Sequence, residues 1–452
     1  MPGRHVFHRV PGHVPPVARR AQGVYIWDDH GRRVLDGCSG AVVVTVGHGR
    51  QEVVEAMAAQ GSQLSYVHSD TWSTEVLDAL AGRLAAAAPG DLNRVFFCSG
   101  GSEATETALK MARQYQLLCG RSEKWKVIGR RVSYHGSTLG ALAMSGHALR
   151  RAPYLPLLAG FSHIDTPYPY RCGCTSAAGG CDACSGRALE RAIQEAGPET
   201  VAAFIAEPVI GAAGGAIAAP PGHFEAVREI CDRHEVVFIC DEVMSGLGRT
   251  GRPFAIQHWD AVPDLLVVGK GLASGYAPLA GVLARDEIHD LFVEMRSQLV
   301  HGYTYSAHPA SLAAGLAVQR IVEREGLVER AARRGGVLRA ELERLAAAHP
   351  MIGDVRGLGL MLGLELVADN VTKRPFTPAW TVAQRLQSHA FARGLAIYPG
   401  AGQVDGESGD QVLVAPPLVI DEDEIQELGR LLDGALADLE AELAQMAPAG
   451  AA

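Results

Sequence analysis

Four short apolar runs, Val95 to Phe97, Val201 to Ile205, Val236 to Cys240 and Leu265 to Val268, constrain this chain more than any other feature. Each is too short for a helix and each ends at a polar or glycine-containing turn, which is how buried strands read. Between them lie stretches with helical spacing: Val53, Val54 and Met57, then Val76, Leu77, Leu80 and Leu84, and later Gly222 to His234. Strands that alternate with helices build a largely parallel sheet, because parallel neighbours need a crossover. The expected fold class is therefore α/β. In open sheets of this kind ligands sit beyond the carboxyl ends of the strands, so chemistry is sought just after the runs.

The flanks read differently. Val24 to Trp27, the turn Asp28 to Gly31 and Arg33 to Leu35 predict a small hairpin. From about Ser311 long helical patterns take over, Leu312 to Glu325 and Leu327 to Ala348, followed by short strands near Val355 to Leu366 and Leu395 to Tyr398. Gly400 to Asp410, rich in glycine and acidic residues, reads as a loop. The C-terminal part is expected to be an α+β domain.

Charge and cysteine usage narrow the function class. Lys and Arg total 41 against 50 Asp and Glu, a formal charge of -9, so there is no electrostatic footprint for nucleic acid. No apolar run approaches the roughly 20 residues that span a bilayer, and Met1 to Arg20 is basic without an apolar core. No membrane partner and a cytoplasmic location are the expectation. Nine cysteines, an odd number, fit reduced thiols better than a disulfide framework. Four of them cluster as Cys172, Cys174, Cys181 and Cys184. That spacing could wrap a tetrahedral zinc, or it could be a surface loop with free thiols, since it departs from two C-x-x-C pairs.

Several residues at the expected strand ends can carry chemistry. Cys98 to Glu103 places Gly100, Gly101 and Ser102 at a strand-to-helix turn, where backbone amides and the positive helix end suit a phosphate; a serine with Glu103 close behind is also a plain capping signature. No P-loop lysine accompanies it. Asp241 and Glu242 close the third run and precede Gly246, Gly248 and Gly251, a spacing that raises a dinucleotide site and hence an NAD-linked oxidoreductase. Pro253 and two carboxylates oppose that reading, because a pyrophosphate needs a helix and positive potential. A carboxylate there could instead pair with a protonated heterocyclic nitrogen. Lys270 follows four apolar residues and stands between Gly269 and Gly271. Desolvation would lower its pKa and bare glycines would leave room for an adduct, as a Schiff-base lysine needs. Tyr134, His135 and Gly136 offer an aromatic face for a flat ring or a plain buried tyrosine, and Glu207 closes the second run either as a substrate ligand or as a turn anchor.

In order, SGGSEATETALK (Ser99 to Lys110), YHG (Tyr134 to Gly136), AEPV (Ala206 to Val209), CDEVMSGLGRTG (Cys240 to Gly251), PDLLVVGKGLASGYAPL (Pro263 to Leu279) and GYTYSAHPASLAAG (Gly302 to Gly315) resemble the class III, or omega-amino-acid, aminotransferases over nearly the whole chain. The resemblance implies fold type I: a large domain with a mostly parallel mixed sheet, residues 56–310, and a small α+β domain built from both termini, residues 1–55 and 311–452. It implies pyridoxal 5'-phosphate as cofactor and a homodimer with active sites at the interface. Lys270 would be the covalent tether and acid-base, and Asp241 the partner of the ring nitrogen. Gly101 and Ser102 would bind the phosphate, with Thr304 reaching that of the partner subunit. Tyr134 and Val243 would cover the two ring faces, with His135 and Glu207 close to the cofactor. The reaction would be ping-pong transfer of an amino group from an amine or omega-amino acid to a keto acid, pyruvate rather than 2-oxoglutarate.

The sequence departs from the family where substrate binds. Many relatives carry an arginine before the segment Ala415 to Leu418 to grip an acceptor carboxylate, but 400–414 has none. Val42 and Val43 stand where some relatives carry a tryptophan, and together with Tyr303 they are expected to line an amine pocket open to bulkier donors. An aminomutase or a decarboxylating transaminase would use the same Lys270 and Asp241.

Overall fold

In the computed structural model, which describes residues 5–446 apart from 11 and 13, the four apolar runs lie in one seven-stranded sheet. Its order is Arg94–Cys98, Ala280–Ala284, Leu265–Val268, Val237–Asp241, Val201–Ala206, Lys126–Arg130 and Ser162–Ile164. Only Ala280–Ala284 runs antiparallel to its neighbours; the other pairings are parallel. Strands covered on both faces become continuous apolar runs, and every residue of Val201–Ala206 and of Val237–Asp241 is buried. Phe238 stacks between Phe204 and Phe224, with ring centroids 6.2 and 5.9 Å away. Full burial of each such ring contributes about 1.5–3 kcal/mol, so the strand ends are fixed by a stiff core.

The small domain draws on both ends of the chain. Tyr25–Asp28 and Arg33–Asp36 form the expected hairpin, and Arg33–Asp36 then pairs in parallel with Leu395–Ala396. A second sheet orders Ile352–Leu358, Met361–Leu366, Asp410–Val414 and Tyr398–Ala401, all antiparallel. The helix Leu327–Ala348 matches its predicted span, and Glu422–Met446 closes the fold as a long helix whose Leu428, Leu432, Leu436 and Leu439 are buried.

One expectation changes and one alternative falls. Gly400 is not loop: Gly400 and Ala401 pair with Gln411 and Asp410, so the loop shrinks to 402–409. Cross-strand pairing ten residues away overrides the local glycine signal. The glycine turn Gly246–Gly251 opens no helix, which removes the dinucleotide site. It serves close packing instead: a Cβ on Gly251 would lie 2.9 Å from Ala332. Among the described residues no helix is long and apolar enough to cross a membrane. Of the basic stretch Met1 to Arg20, residues 1–4, 11 and 13 lie outside the described part.

Candidate active site

The carboxyl ends of the parallel strands open on one cleft of about 170 Å³, walled by Gly101, Ser102, Tyr134, His135, Gly136, Glu207, Asp241, Val243, Met244 and Lys270. Residues more than 160 positions apart in sequence thus meet, because consecutive crossovers return each strand to the same edge.

Lys270 begins a short turn after Leu265–Val268 and holds a left-handed backbone, φ +42°. Such a conformation costs a non-glycine residue about 1–3 kcal/mol and is sustained only where the surroundings dictate it. Here they do. The Ser274 hydroxyl accepts from the amides of Thr45 (2.8 Å) and Val46 (3.2 Å), and the Thr45 hydroxyl donates to the Gly271 carbonyl. A Cβ on Gly271 would meet Thr45 at 2.9 Å, so this glycine lets the chain at residue 45 pack against the turn, while one on Gly269 would make ordinary contact with Val243 at 3.4 Å. Burial lowers the Lys270 pKa from 10.5 to about 8, against the opposing pull of Asp241 and Glu207.

Asp241 is 4% exposed. Its Oδ1 accepts the Val243 amide at 3.0 Å and its Oδ2 pairs with His135 Nδ1 at 2.7 Å. The His135 ring therefore stands behind the acid, and its buried Nε2 has no partner. Glu207 is held by its turn: Oε1 accepts from the Tyr134 amide (3.0 Å) and Oε2 from the Gly211 amide (2.8 Å). Burial raises its pKa, and the charge of Asp241 adds to the rise. Both sequence readings of Glu207 meet here, since it anchors the turn and lines the cleft.

Gly101 and Ser102 start the helix Gly101–Leu118, whose first amides point to the cleft end. Glu103 folds back to accept the Ser99 amide at 2.8 Å, so the capping signature and an open helix end coexist. Val243 lies so close to Gly101 that a Cβ there would sit 3.0 Å from it. Tyr134 and Val243 are thus walls of a slot that a flat ring could enter.

The remaining predicted residues lie apart from this slot. Val42 is 2% exposed and packs in the core, while Val43 lies beside the Gly275 turn beyond Lys270, 3.3 Å from where a Cβ on Gly275 would stand. The Tyr303 hydroxyl donates to the Glu103 carbonyl at 3.2 Å, outside the slot. Thr304 is exposed, its carbonyl accepting from Tyr66.

Three arginines were not foreseen. Arg130 ends its strand fully buried and donates to the Glu207 carbonyl; burial lowers its pKa to about 10. A charge closing an apolar run was the signal that found Asp241, and it applied equally to Arg130. Arg249 clamps the 39–44 segment, donating to Ser39 and Val44, and also to Leu360 and Pro416. Arg150 lies 4.3 Å over the Tyr134 ring, near enough for its charge to depress Lys270 further. Nothing in the sequence around Arg150 marks it.

An acid at one end, a helix N-terminus at the other, an amine at the floor and two apolar walls form a donor set that fits a flat phosphorylated aldehyde with a basic ring nitrogen. Comparison with known proteins agrees. Residues 7–436 match the family described as Aminotransferase class-III. The chain is 42% identical to the uncharacterized aminotransferase YodT of Bacillus subtilis, over 95% of this chain and 96% of that one. It is 38% identical to a putrescine–pyruvate aminotransferase of Pseudomonas aeruginosa, over 91% of this chain and 88% of that one. An amine transaminase from an uncultivated Pseudomonas species, solved with pyridoxal phosphate bound, superposes with a TM-score of 0.87 at 35% identity, covering 96% of this chain and 99% of the other.

Proposed function

The chain belongs to the class III aminotransferases, pyridoxal-phosphate-dependent enzymes, and on that premise we propose that it moves an amino group from an amine or omega-amino acid to pyruvate in a ping-pong cycle, as a homodimer with shared active sites. The observation that carries the reading is Lys270 and Asp241 lining one cleft together with Tyr134 and Val243. The pyruvate preference rests on the likeness to the putrescine–pyruvate aminotransferase of Pseudomonas aeruginosa.

Bound in this slot, pyridoxal phosphate supplies an electron sink that lets the Cα proton of an amine leave. The chain's own residues do the rest. Asp241, oriented by His135 and the Val243 amide, would hold a positive ring nitrogen. The amides of Gly101 and Ser102 hold the phosphate through the helix end. Lys270, with a pKa near 8, takes and returns a proton close to neutral pH, where an ordinary lysine stays charged. Arg150 stands in for the carboxylate-binding arginine missing from 400–414: His147 Nε2 bonds the Ala401 carbonyl at 3.1 Å, which sets the helix bearing Arg150 against that loop.

Borohydride treatment followed by peptide mapping tests the assignment. Reduction should fix the cofactor on the peptide containing Lys270. Lys270→Ala should lose that adduct and reduce amine-to-pyruvate transfer by at least about a thousandfold. Turnover retained in this variant refutes the assignment.

A further inference from the structure

The four clustered cysteines take no part in the cleft, yet the fold assembles them. All four Sγ atoms of Cys172, Cys174, Cys181 and Cys184 lie within 4.8 Å of one another, and those of Cys172 and Cys184 are 3.6 Å apart. A zinc ion bound by four thiolates at about 2.3 Å spaces its sulfurs by about 3.8 Å. An iron–sulfur cluster spreads its cysteines over more than one metal ion, which a group this compact does not allow.

The backbone is shaped to bring the sulfurs in. Gly173 reverses the chain between the first two cysteines with φ +73°, and the Cys181 amide donates to Cys174 Sγ at 3.3 Å. A Cβ on Gly180 would lie 2.7 Å from the Ser176 carbonyl and 3.2 Å from Cys184, so the turn closes only over a bare glycine. Little apolar burial holds this loop. In 172–184 only Ala177 and Cys184 are buried, so hydrophobic burial alone cannot order the segment.

We propose that Cys172, Cys174, Cys181 and Cys184 bind one structural zinc ion, closed to water and substrate, that fastens the two domains together. Its arms end on both. Just before Cys172, Arg171 Nε donates to Glu365 Oε1 at 2.9 Å and the Tyr168 hydroxyl donates to the same carboxylate, which is fully buried in the small-domain sheet. Arg356 completes that cluster at 2.5 Å and also holds the Gly214 and Gly215 carbonyls. On the other side, the Cys184 carbonyl bonds His223 Nδ1 at 2.9 Å and the Ala177 amide donates to Pro221 at 2.8 Å, at the start of the large-domain helix His223–Arg233.

The holoenzyme, produced with zinc in the medium and purified under reducing conditions without chelator, should contain one zinc per chain by plasma mass spectrometry. A mercurial thiol reagent should release that zinc in step with titration of the four thiols. Cys174→Ser and Cys181→Ser, alone and together, should lose the metal and keep the visible absorbance of bound pyridoxal phosphate. Their half-life of thermal inactivation should fall by at least about tenfold. If these variants do not fold, the wild-type zinc-to-thiol stoichiometry decides. Wild-type protein without zinc, with iron in its place, or with these cysteines in disulfides overturns the proposal, as does a paired variant that retains stoichiometric zinc.

Discussion

The cleft and the cysteine loop both gather reactive side chains from distant positions, but by opposite means. Asp241 ends a strand in which all five residues are buried, and Lys270 follows one in which all four are. Their places are set by the sheet before any ligand arrives, firmly enough to hold Lys270 in a left-handed backbone. The cysteines stand on a loop in which only Ala177 and Cys184 are buried, where geometry depends on glycine turns and on the sulfurs themselves. Preorganised charge in a stiff scaffold suits catalysis, which gains from groups that need not reorganise. A cross-link where there is no core suits assembly.

The largest break in this contrast is Asp241→Asn. The amide keeps the shape but cannot hold a positive ring nitrogen, so kcat should fall by about a hundredfold to a thousandfold while the fold and the zinc content stay as they were. Steady-state kinetics beside metal analysis of the same sample checks both halves. A variant within about fivefold of wild type would remove Asp241 from the chemistry.

A smaller break is Arg150→Ala, which tests whether the cleft takes its acceptor through a residue outside the sheet. The KM for pyruvate should rise about tenfold, the worth of one charge-assisted hydrogen bond, with the KM for an amine lacking a carboxylate unchanged. Lys at this position should recover part of the loss, since it keeps the charge without the planar fork. An equal rise for both substrates would assign Arg150 to holding the Tyr134 ring instead.

What the sequence made legible follows the same divide. Lys270, Asp241 and Glu207 announce themselves because a charged residue that ends an apolar run has few structural reasons to be there. Arg130 carried the same mark. Ala280–Ala284, the antiparallel strand, was hidden because AGVLA has no period that separates strand from helix. Arg150 was hidden for another reason: the short helix that carries it is tied to a distant strand, His147 to Ala401, which local pattern cannot express. The close approach of Thr45 to Gly271 was equally invisible. The cysteine spacing showed that a metal was possible. Only the turns at Gly173 and Gly180 show that the four sulfurs converge.

The mildest probe of the stiff cleft is pH. In cofactor-free protein the Lys270 amine must be neutral to capture the aldehyde of pyridoxal phosphate. Its pKa is lowered to about 8 by burial, so the neutral fraction should grow about tenfold between pH 7 and pH 9 and then level off. An ordinary lysine at 10.5 would keep gaining about tenfold per pH unit across that range. Stability shifts the same way. The folded pKa lies below the unfolded one, so the unfolded chain binds more protons between about pH 8 and 10.5, and the cofactor-free protein should gain stability as pH rises through that window. Capture rates followed by visible absorbance, with Lys270→Met as the stability reference, give both curves. A rate that still climbs tenfold per unit beyond pH 9 would mean that the lysine is solvated, and that the strained turn at 270 does not keep its amine in the slot.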